Sequence, residues 1–232
     1  MEADRLVRAA LLFAALPAAA AAAEAPIYWG VQVEQLEGRF GDAEAFAWDG
    51  DAFVGTDELK LVLRSEAELE HGAFEALENQ LRLQTPVSTF FDAVAGVRLD
   101  TPEGGPDRVH AVLGVHGLAR QWFEVDADLF LSDHPSARFE AEYEALITNR
   151  VILVPSLEVD LPLADDEALD LGGFAPKVEI GARLGYDLVD RAVAPYVGVH
   201  YERRLGESAD RTRRAGGDAD ALSVVLGVRL MY

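Results

Sequence analysis

The sequence contains no cysteine, two methionines and two lysines among its 232 residues. Without cysteine the chain has no disulfide framework, no thiolate metal ligand and no thiol nucleophile. Basic residues are scarce as well: 20 Lys and Arg stand against 41 Asp and Glu, which gives a formal net charge of −21. Nucleic-acid binding needs clustered Lys and Arg to neutralise phosphates, so that function class is excluded and cations are the better-matched partners.

Long hydrophobic runs are also missing, because no stretch approaches the roughly 18 consecutive apolar residues of a transmembrane helix. Near the N-terminus, Arg5 and Arg8 precede about 15 uncharged residues that end in three alanines at 21–23. An alanine-rich soluble helix is the alternative, but this run is not amphipathic. It is typical of a secretory signal with a small-residue cleavage site. We therefore expect residues 1–23 to form a signal peptide and the mature chain to begin near Glu24.

Apolar and charged residues are interleaved along the rest of the chain. Mean hydropathy is +0.05 in spite of the many carboxylates. From Ile27 onward the two residue types alternate with the period of two that is typical of β-strands, most clearly in residues 123–131 and 222–232. The alternating segments are about 10 to 12 residues long, about twice the usual strand of a soluble protein. This length matches a tilted crossing of a bilayer, and the polar face is too charged for a protein core.

Two classes of connection alternate between these segments. Short turns fall near residues 55–57, 85–87, 118–120, 148–150 and 188–191, and polar loops fall at 39–44, 70–72, 101–107, 132–135, 162–173 and 205–218. Five turns and six loops connect twelve strands. The sequence therefore predicts an all-β fold, a transmembrane antiparallel up-and-down β-barrel of about 12 strands in one domain over residues 24–232. The weakest strand is Ala45–Val54; without it the count is eleven.

The face opposite the lipid-facing one would line the lumen, and it is strongly acidic. Most of its charges are expected to form ion pairs that fill the barrel. Three histidines share this phase, and folding the hairpin about residues 118–120 predicts His116 opposite Glu124 and His110 within diagonal reach of Asp128. Imidazole with carboxylate suits copper and other borderline divalent cations. The candidate metal ligands are His110, His116, His200, Glu124, Asp126 and Asp128.

Two limits apply to this candidate site. His110 and His116 lie about 20 Å apart along an extended strand, too far to share one ion. A histidine that is simply hydrogen-bonded in the lumen is the alternative at each position. The serines show no G-x-S-x-G elbow, and no carboxylate pair is singled out by its surroundings, so no catalytic constellation is found and we expect no enzymatic activity.

Several long stretches resemble the copper resistance protein B family of bacterial outer membranes. They are WDGDAFVG at 48–55, AVLGVHGLARQWFEVDADLFLSD at 111–133, EAEYEALITNRVILVPSLEVDL at 140–161 and VAPYVGVHYERRLGESADRTRRAG at 193–216. The resemblance covers nearly the whole mature chain. It implies an outer-membrane β-barrel that binds copper or moves it across the cell envelope, without enzymatic activity. The implied partners are the outer-membrane lipid bilayer, copper ions and periplasmic copper-handling proteins.

One feature departs from the family pattern. Members often carry a Met- and His-rich segment ahead of the barrel, with thioethers suited to copper(I). In this sequence the predicted barrel starts at Ile27, almost directly after the predicted signal, and Met231 is the sole methionine of the predicted mature chain. A copper role would then rest on the lumen carboxylates and histidines or on another protein of the system. The alternative hypothesis is a structural or adaptor barrel with a plugged lumen and no metal role.

Overall fold

The computed structural model describes residues 26–42, 44–70, 73–102, 105–189 and 191–232. The predicted signal peptide, residues 1–23, lies outside these ranges and stays a prediction. No helix in the described ranges has the length and apolar character needed to cross a membrane.

Twelve strands make up most of the described chain. They are β1 (Tyr28–Gly41), β2 (Ala45–Gly55), β3 (Lys60–Glu70), β4 (Ala73–Pro86), β5 (Phe91–Pro102), β6 (Arg108–Leu118), β7 (Glu124–Leu131), β8 (Ser136–Glu142), β9 (Val151–Pro162), β10 (Lys177–Tyr186), β11 (Val193–Arg204) and β12 (Asp220–Met231). A two-residue segment, Ala145–Leu146, follows β8 after a short break and pairs with the same neighbour, β9. The segment over residues 45–54, the weakest of the predicted strands, is a full strand, so the predicted count is confirmed.

Each strand pairs with its neighbours in the chain, and the first strand pairs with the last. In the closing ladder Phe40 of β1 lies opposite Val224 of β12. The ladder between β9 and β10 continues the order across the loop of residues 163–176, with Leu157 opposite Ile180. The sheet therefore closes into an antiparallel up-and-down barrel without a free edge, as the alternation predicted.

The two faces of the strands have opposite environments. On β12, Leu226 is 54% exposed on the outer face while its neighbour Val225 is fully buried inside the barrel. The inner face buries charged and amide side chains instead of a hydrocarbon core, and Glu37, Gln80 and Arg82 are at most 1% exposed. Apolar residues exposed around a whole barrel fit a lipid surface, because a water-soluble protein would bury them.

The connections differ between the two ends of the barrel. Both described termini and the short turns lie at one end, which we name the turn side. The two longest connections, residues 163–176 and residues 205–219 with the helix α1 (Gly206–Arg214), lie at the other end, the loop side. Gly206 opens this helix with a φ of +58°, a left-handed conformation that glycine adopts without strain.

Aromatic side chains gather near the turn side. The rings of Trp29 and Tyr232 lie 5.5 Å apart, and those of Phe123 and Tyr143 lie 5.0 Å apart. Trp122 is 71% exposed in the turn after β6. Aromatic rings at this level are typical of the girdle that an outer-membrane barrel places at the membrane interface.

Candidate cation-binding lumen

A cavity of about 460 Å³ occupies the barrel interior. Its lining includes fifteen Asp and Glu residues, eight Arg and Lys residues and three histidines, which are His110, His134 and His200. The predicted ligands His116 and Asp128 are not part of this lining. It reaches from Asp166 and His134 on the loop side to Glu124 and Glu142 on the turn side. A low-dielectric wall with this excess of carboxylates concentrates cations and repels anions.

A bulge in β1 adds to the acidity of the lumen. The register of β1 against β2 shifts between Val33 and Gln35. Such an extra residue breaks the strict alternation of faces. Glu34 and Gln35, although consecutive, both line the cavity as a result.

One wall of the lumen is filled rather than open. Val94, Val112 and Phe130 form a small apolar cluster on the inner faces of β5, β6 and β7, each at most 3% exposed. The guanidinium of Arg98 lies 4.1 Å from the centre of the Phe130 ring, a cation–π contact. The open space is therefore confined to the rest of the cross-section.

Glu37 is the most completely enclosed carboxylate among the described residues, with 0% exposure. Arg183 donates to both of its oxygens at 2.8 Å. Arg39 donates at 3.0 Å and the Tyr196 hydroxyl at 2.9 Å. Four charge-assisted hydrogen bonds satisfy this carboxylate, and they tie β1 to β10 and β11 across the lumen.

Two further arginines hold the acidic strands together. Arg82, with a fully buried side chain, donates to Asp126 at 3.2 Å and to Asp128 at 3.0 Å. Arg138 donates to Asp160 at 2.7 Å and to Glu66 at 2.8 Å. Charges buried this deeply are tolerated because they are paired, as the sequence interpretation expected for most of the lumen.

Two of the predicted ligands, Glu124 and Asp126, lie close to His116. The register between β6 and β7 differs by two residues from the predicted register. Asp126, not Glu124, lies directly opposite His116. The His116 Nδ1 atom is 3.0 Å from Asp126 Oδ2, and its Nε2 atom is 3.9 Å from Glu124 Oε1. One imidazole and two carboxylates thus meet at the turn side.

His110 and His200 lie elsewhere in the lumen. The nearest carboxylate to His110 is that of Asp100 on β5, with 3.2 Å between Nε2 and Oδ2. Its predicted neighbour, Asp128, pairs with Arg82 instead. His200 Nε2 lies 3.3 Å from Glu179 Oε2 on β10. The six candidate ligands therefore divide among separate places and do not form one cluster.

The sequence reasoning missed a group of carboxylates across β9 and β10. Glu158, Asp160 and Glu179 each place one oxygen within 4.8 Å of the others. The alternation of residues marked each of them as inward-facing. Their proximity was not visible in the sequence, because a long loop separates the two strands and hides the register that sets Glu158 opposite Glu179.

The loop of residues 163–176 is fixed over the loop side of the lumen. Asp166 is 3% exposed and lies 2.6 Å from Arg108 at the start of β6. Gly172 donates its backbone N–H to Ser208 on α1 at 3.0 Å. Arg211 on the same helix donates to the Leu171 carbonyl at 3.0 Å. A hydrogen bond to Glu207 raises the pKa of Arg211, which stays charged at any physiological pH.

We expect Asp166→Asn to loosen this loop, because the Arg108 guanidinium loses its charged partner. A lost charge-assisted hydrogen bond of this kind costs about 1.5–3 kcal/mol, so cleavage of the loop by proteinase K should speed up about tenfold or more. Single-channel conductance in planar bilayers should also rise in Asp166→Asn, because the loosened loop covers less of the lumen. The control is Glu167→Gln, which removes the same charge from an exposed position in the same loop. Equal cleavage rates in the two variants would contradict the role of Asp166.

The closed barrel, the outward apolar surface and the charged lumen define an outer-membrane β-barrel. Comparison with solved structures agrees. The NanC porin superimposes with a TM-score of 0.55 at 12% identity, over 88% of this chain and 99% of its own. The KdgM porin gives 0.51 at 10% identity, with the same coverages of 88% and 99%. Identities this low establish the fold alone.

Sequence comparison establishes the family. The family model described as copper resistance protein B precursor (CopB) matches residues 27–232. Copper resistance protein B of Escherichia coli is 34% identical over 212 residues, which cover 90% of this chain and 71% of that protein. The homolog from Pseudomonas syringae pv. tomato (strain ATCC BAA-871 / DC3000) is 36% identical over 193 residues, covering 82% and 65%. The chain belongs to the copper resistance protein B family and is an outer-membrane protein, which confirms the resemblance and the predicted localisation.

Proposed function

We propose that this barrel binds copper ions and passes them through its acidic lumen, without catalysis. The observation that carries the proposal is the cavity lining, where fifteen carboxylates face eight Arg and Lys side chains. The ion pairs neutralise only part of this negative charge. Because unneutralised carboxylates in a low-dielectric space are unfavourable, the lumen favours entry of cations from water.

The arrangement of the proposed ligands supports passage in steps. His110, His200 and the carboxylates beside them lie in the loop-side half of the lumen, and His116 with Glu124 and Asp126 lies on the turn side. Imidazole and carboxylate ligands suit Cu²⁺. Conduction also needs several weak sites rather than one tight one. Asp128, bound by Arg82, would contribute charge to the lumen rather than a free ligand.

Copper flux into liposomes that contain the purified barrel tests the proposal. We expect faster entry of Cu²⁺ than of anions of similar size, and a deletion strain should show altered growth on graded copper. Asp51→Asn removes a lumen carboxylate and should lower Cu²⁺ flux several-fold, because it weakens the field that attracts the cation. Glu58→Gln, an exposed change in the first turn, is the matched control. Unchanged copper tolerance together with no metal selectivity would overturn the proposal.

The second candidate is a structural or adaptor barrel with a plugged lumen. The filled wall of Val94, Val112 and Phe130 and the fixed loop of residues 163–176 favour it. It predicts conductance near zero and wild-type copper tolerance after His110, His116 and His200 are all replaced. A periplasmic copper-handling protein would then carry the metal. Non-catalytic action is part of both candidates and is supported by the family and by the porin-type fold.

A further inference from the structure

Three carboxylates from two neighbouring strands meet in the loop-side half of the lumen. Glu158 and Asp160 project from β9, and Glu179 projects from β10. Glu158 lies directly opposite Glu179 in the strand register, and Asp160 lies two residues further along the same face. All three line the central cavity. The backbone pairing therefore holds them together without help from a flexible loop.

A buried imidazole points at this cluster from the next strand. His200 on β11 is 6% exposed, and its Nε2 atom lies 3.3 Å from Glu179 Oε2. Within the described part of the chain, this nitrogen has no hydrogen-bond partner of acceptable geometry. A buried polar atom without a partner costs free energy, and such atoms in native structures often mark a ligand. Coordination of a metal ion by Nε2 would remove this cost.

The charge balance at the cluster also favours a further cation. Lys177 Nζ lies 2.6 Å from Glu179 and 3.6 Å from Glu202. Arg138 lies 2.7 Å from Asp160 and 3.2 Å from Glu158. The two cationic side chains thus pair with the four carboxylates just named, and Arg138 also pairs with Glu66.

Lys177 differs from the arginines that pair the rest of the lumen. It is one of two lysines in a chain with eighteen arginines. An ammonium is a compact charge on a flexible stem, whereas a guanidinium forms a fixed bidentate fork. Lys177 can therefore leave Glu179 by rotating its side chain, while the arginines keep their positions.

We propose that Glu158, Asp160, Glu179 and His200 form a divalent-cation site that prefers Cu²⁺, and that the Lys177 ammonium occupies part of it until the metal displaces it. The inference rests on the proposed function, because it names where the lumen holds its cation. Three oxygens and one imidazole nitrogen are ligands that Cu²⁺ accepts, and Cu²⁺ binds most tightly among the first-row divalent ions at such mixed sites.

Equilibrium dialysis of the refolded barrel in detergent against CuCl₂ tests the site. His200→Gln and Glu179→Gln should each weaken Cu²⁺ binding by about tenfold or more, since even indirect partners of a metal commonly contribute that much. Lys177→Met should strengthen binding by about tenfold or more, because no ammonium then competes with the ion for the Glu179 carboxylate. A gain in affinity cannot result from misfolding. His134→Gln removes a lumen imidazole away from the site and should leave the affinity unchanged.

Electron paramagnetic resonance of the barrel with one equivalent of Cu²⁺ gives the second measurement. In a barrel whose His110 and His116 are both replaced by Gln, we expect coupling to one imidazole nitrogen, retained when His134→Gln is added and absent when His200→Gln is added. Intact coupling in His200→Gln, no tightening in Lys177→Met, or no Cu²⁺ binding by the unsubstituted barrel would overturn the site. Copper flux into liposomes is measured separately: selective Cu²⁺ flux that His200→Gln and Lys177→Met leave unchanged would overturn the site and leave the proposed function standing.

Discussion

Glu37→Gln is expected to destabilise the barrel by about 3–5 kcal/mol, the cost of removing one partner from a buried ion pair. The substitution keeps the shape of the side chain but removes its charge. Arg183 would keep its bond to Gln35, and Arg39 its bond to Glu68, yet both guanidinium groups would lose their enclosed anion. Urea unfolding of the barrel in lipid vesicles, followed by tryptophan fluorescence, measures the loss.

Two further variants separate this effect from a general change in charge. Glu58→Gln removes a carboxylate from an exposed turn and should change stability by less than about 0.5 kcal/mol. The double variant Glu37→Leu with Arg183→Met removes both charges of the central pair and should recover part of the loss, because Arg183 is no longer buried without its partner and Arg39 keeps Glu68. A loss below about 1 kcal/mol for Glu37→Gln would show that the charge of Glu37 contributes little to the stability of the barrel.

Leu226→Arg is expected to cost about 2–4 kcal/mol, the penalty for a charged side chain on the lipid face at the bilayer midplane. Leu226 is 54% exposed on the outer face and lies near the middle of β12, opposite Gly38 and Val197. A guanidinium at this depth cannot reach water without distorting the bilayer. The same unfolding assay in vesicles measures the loss.

Leu222→Arg is the matched control for this prediction. Leu222 is 53% exposed on the same face of the same strand, close to its loop-side end. The penalty there should fall to about 0–1 kcal/mol, because the charge reaches the membrane interface. Equal penalties at the two positions would contradict the placement of the membrane across the middle of β12.

The strand order followed from local features of the sequence. Alternation marked the faces, and Gly- and Pro-containing turns marked the ends, so even the doubtful segment over residues 45–54 was placed correctly. The register between neighbouring strands was harder to predict than their order. The hairpin between β6 and β7 is offset by two residues from the predicted one, because a turn with Gln121 and Trp122 at positive φ uses more residues than the predicted turn.

The sequence identified the individual candidate ligands but did not show which of them lie close together. The inward phase identified His110, His116 and His200, and the short β6–β7 hairpin brought His116 near Glu124 and Asp126. No local pattern pairs His200 with Glu179, or Glu158 with Glu179, because a hairpin turn or a 14-residue loop lies between the strands and does not reveal the register. The lumen cluster could not be found before the barrel closed.

The sequence by itself determined the number of strands, the faces they show to lipid and lumen, and the family, because each depends on residue types at short, regular spacing. Only the tertiary structure decided which charges neutralise one another. Arg64, for example, contacts both Asp51 on the next strand and Glu140 across the lumen. Contacts of the second kind depend on the curvature of the closed sheet, which brings together side chains that are far apart both in sequence and along the sheet.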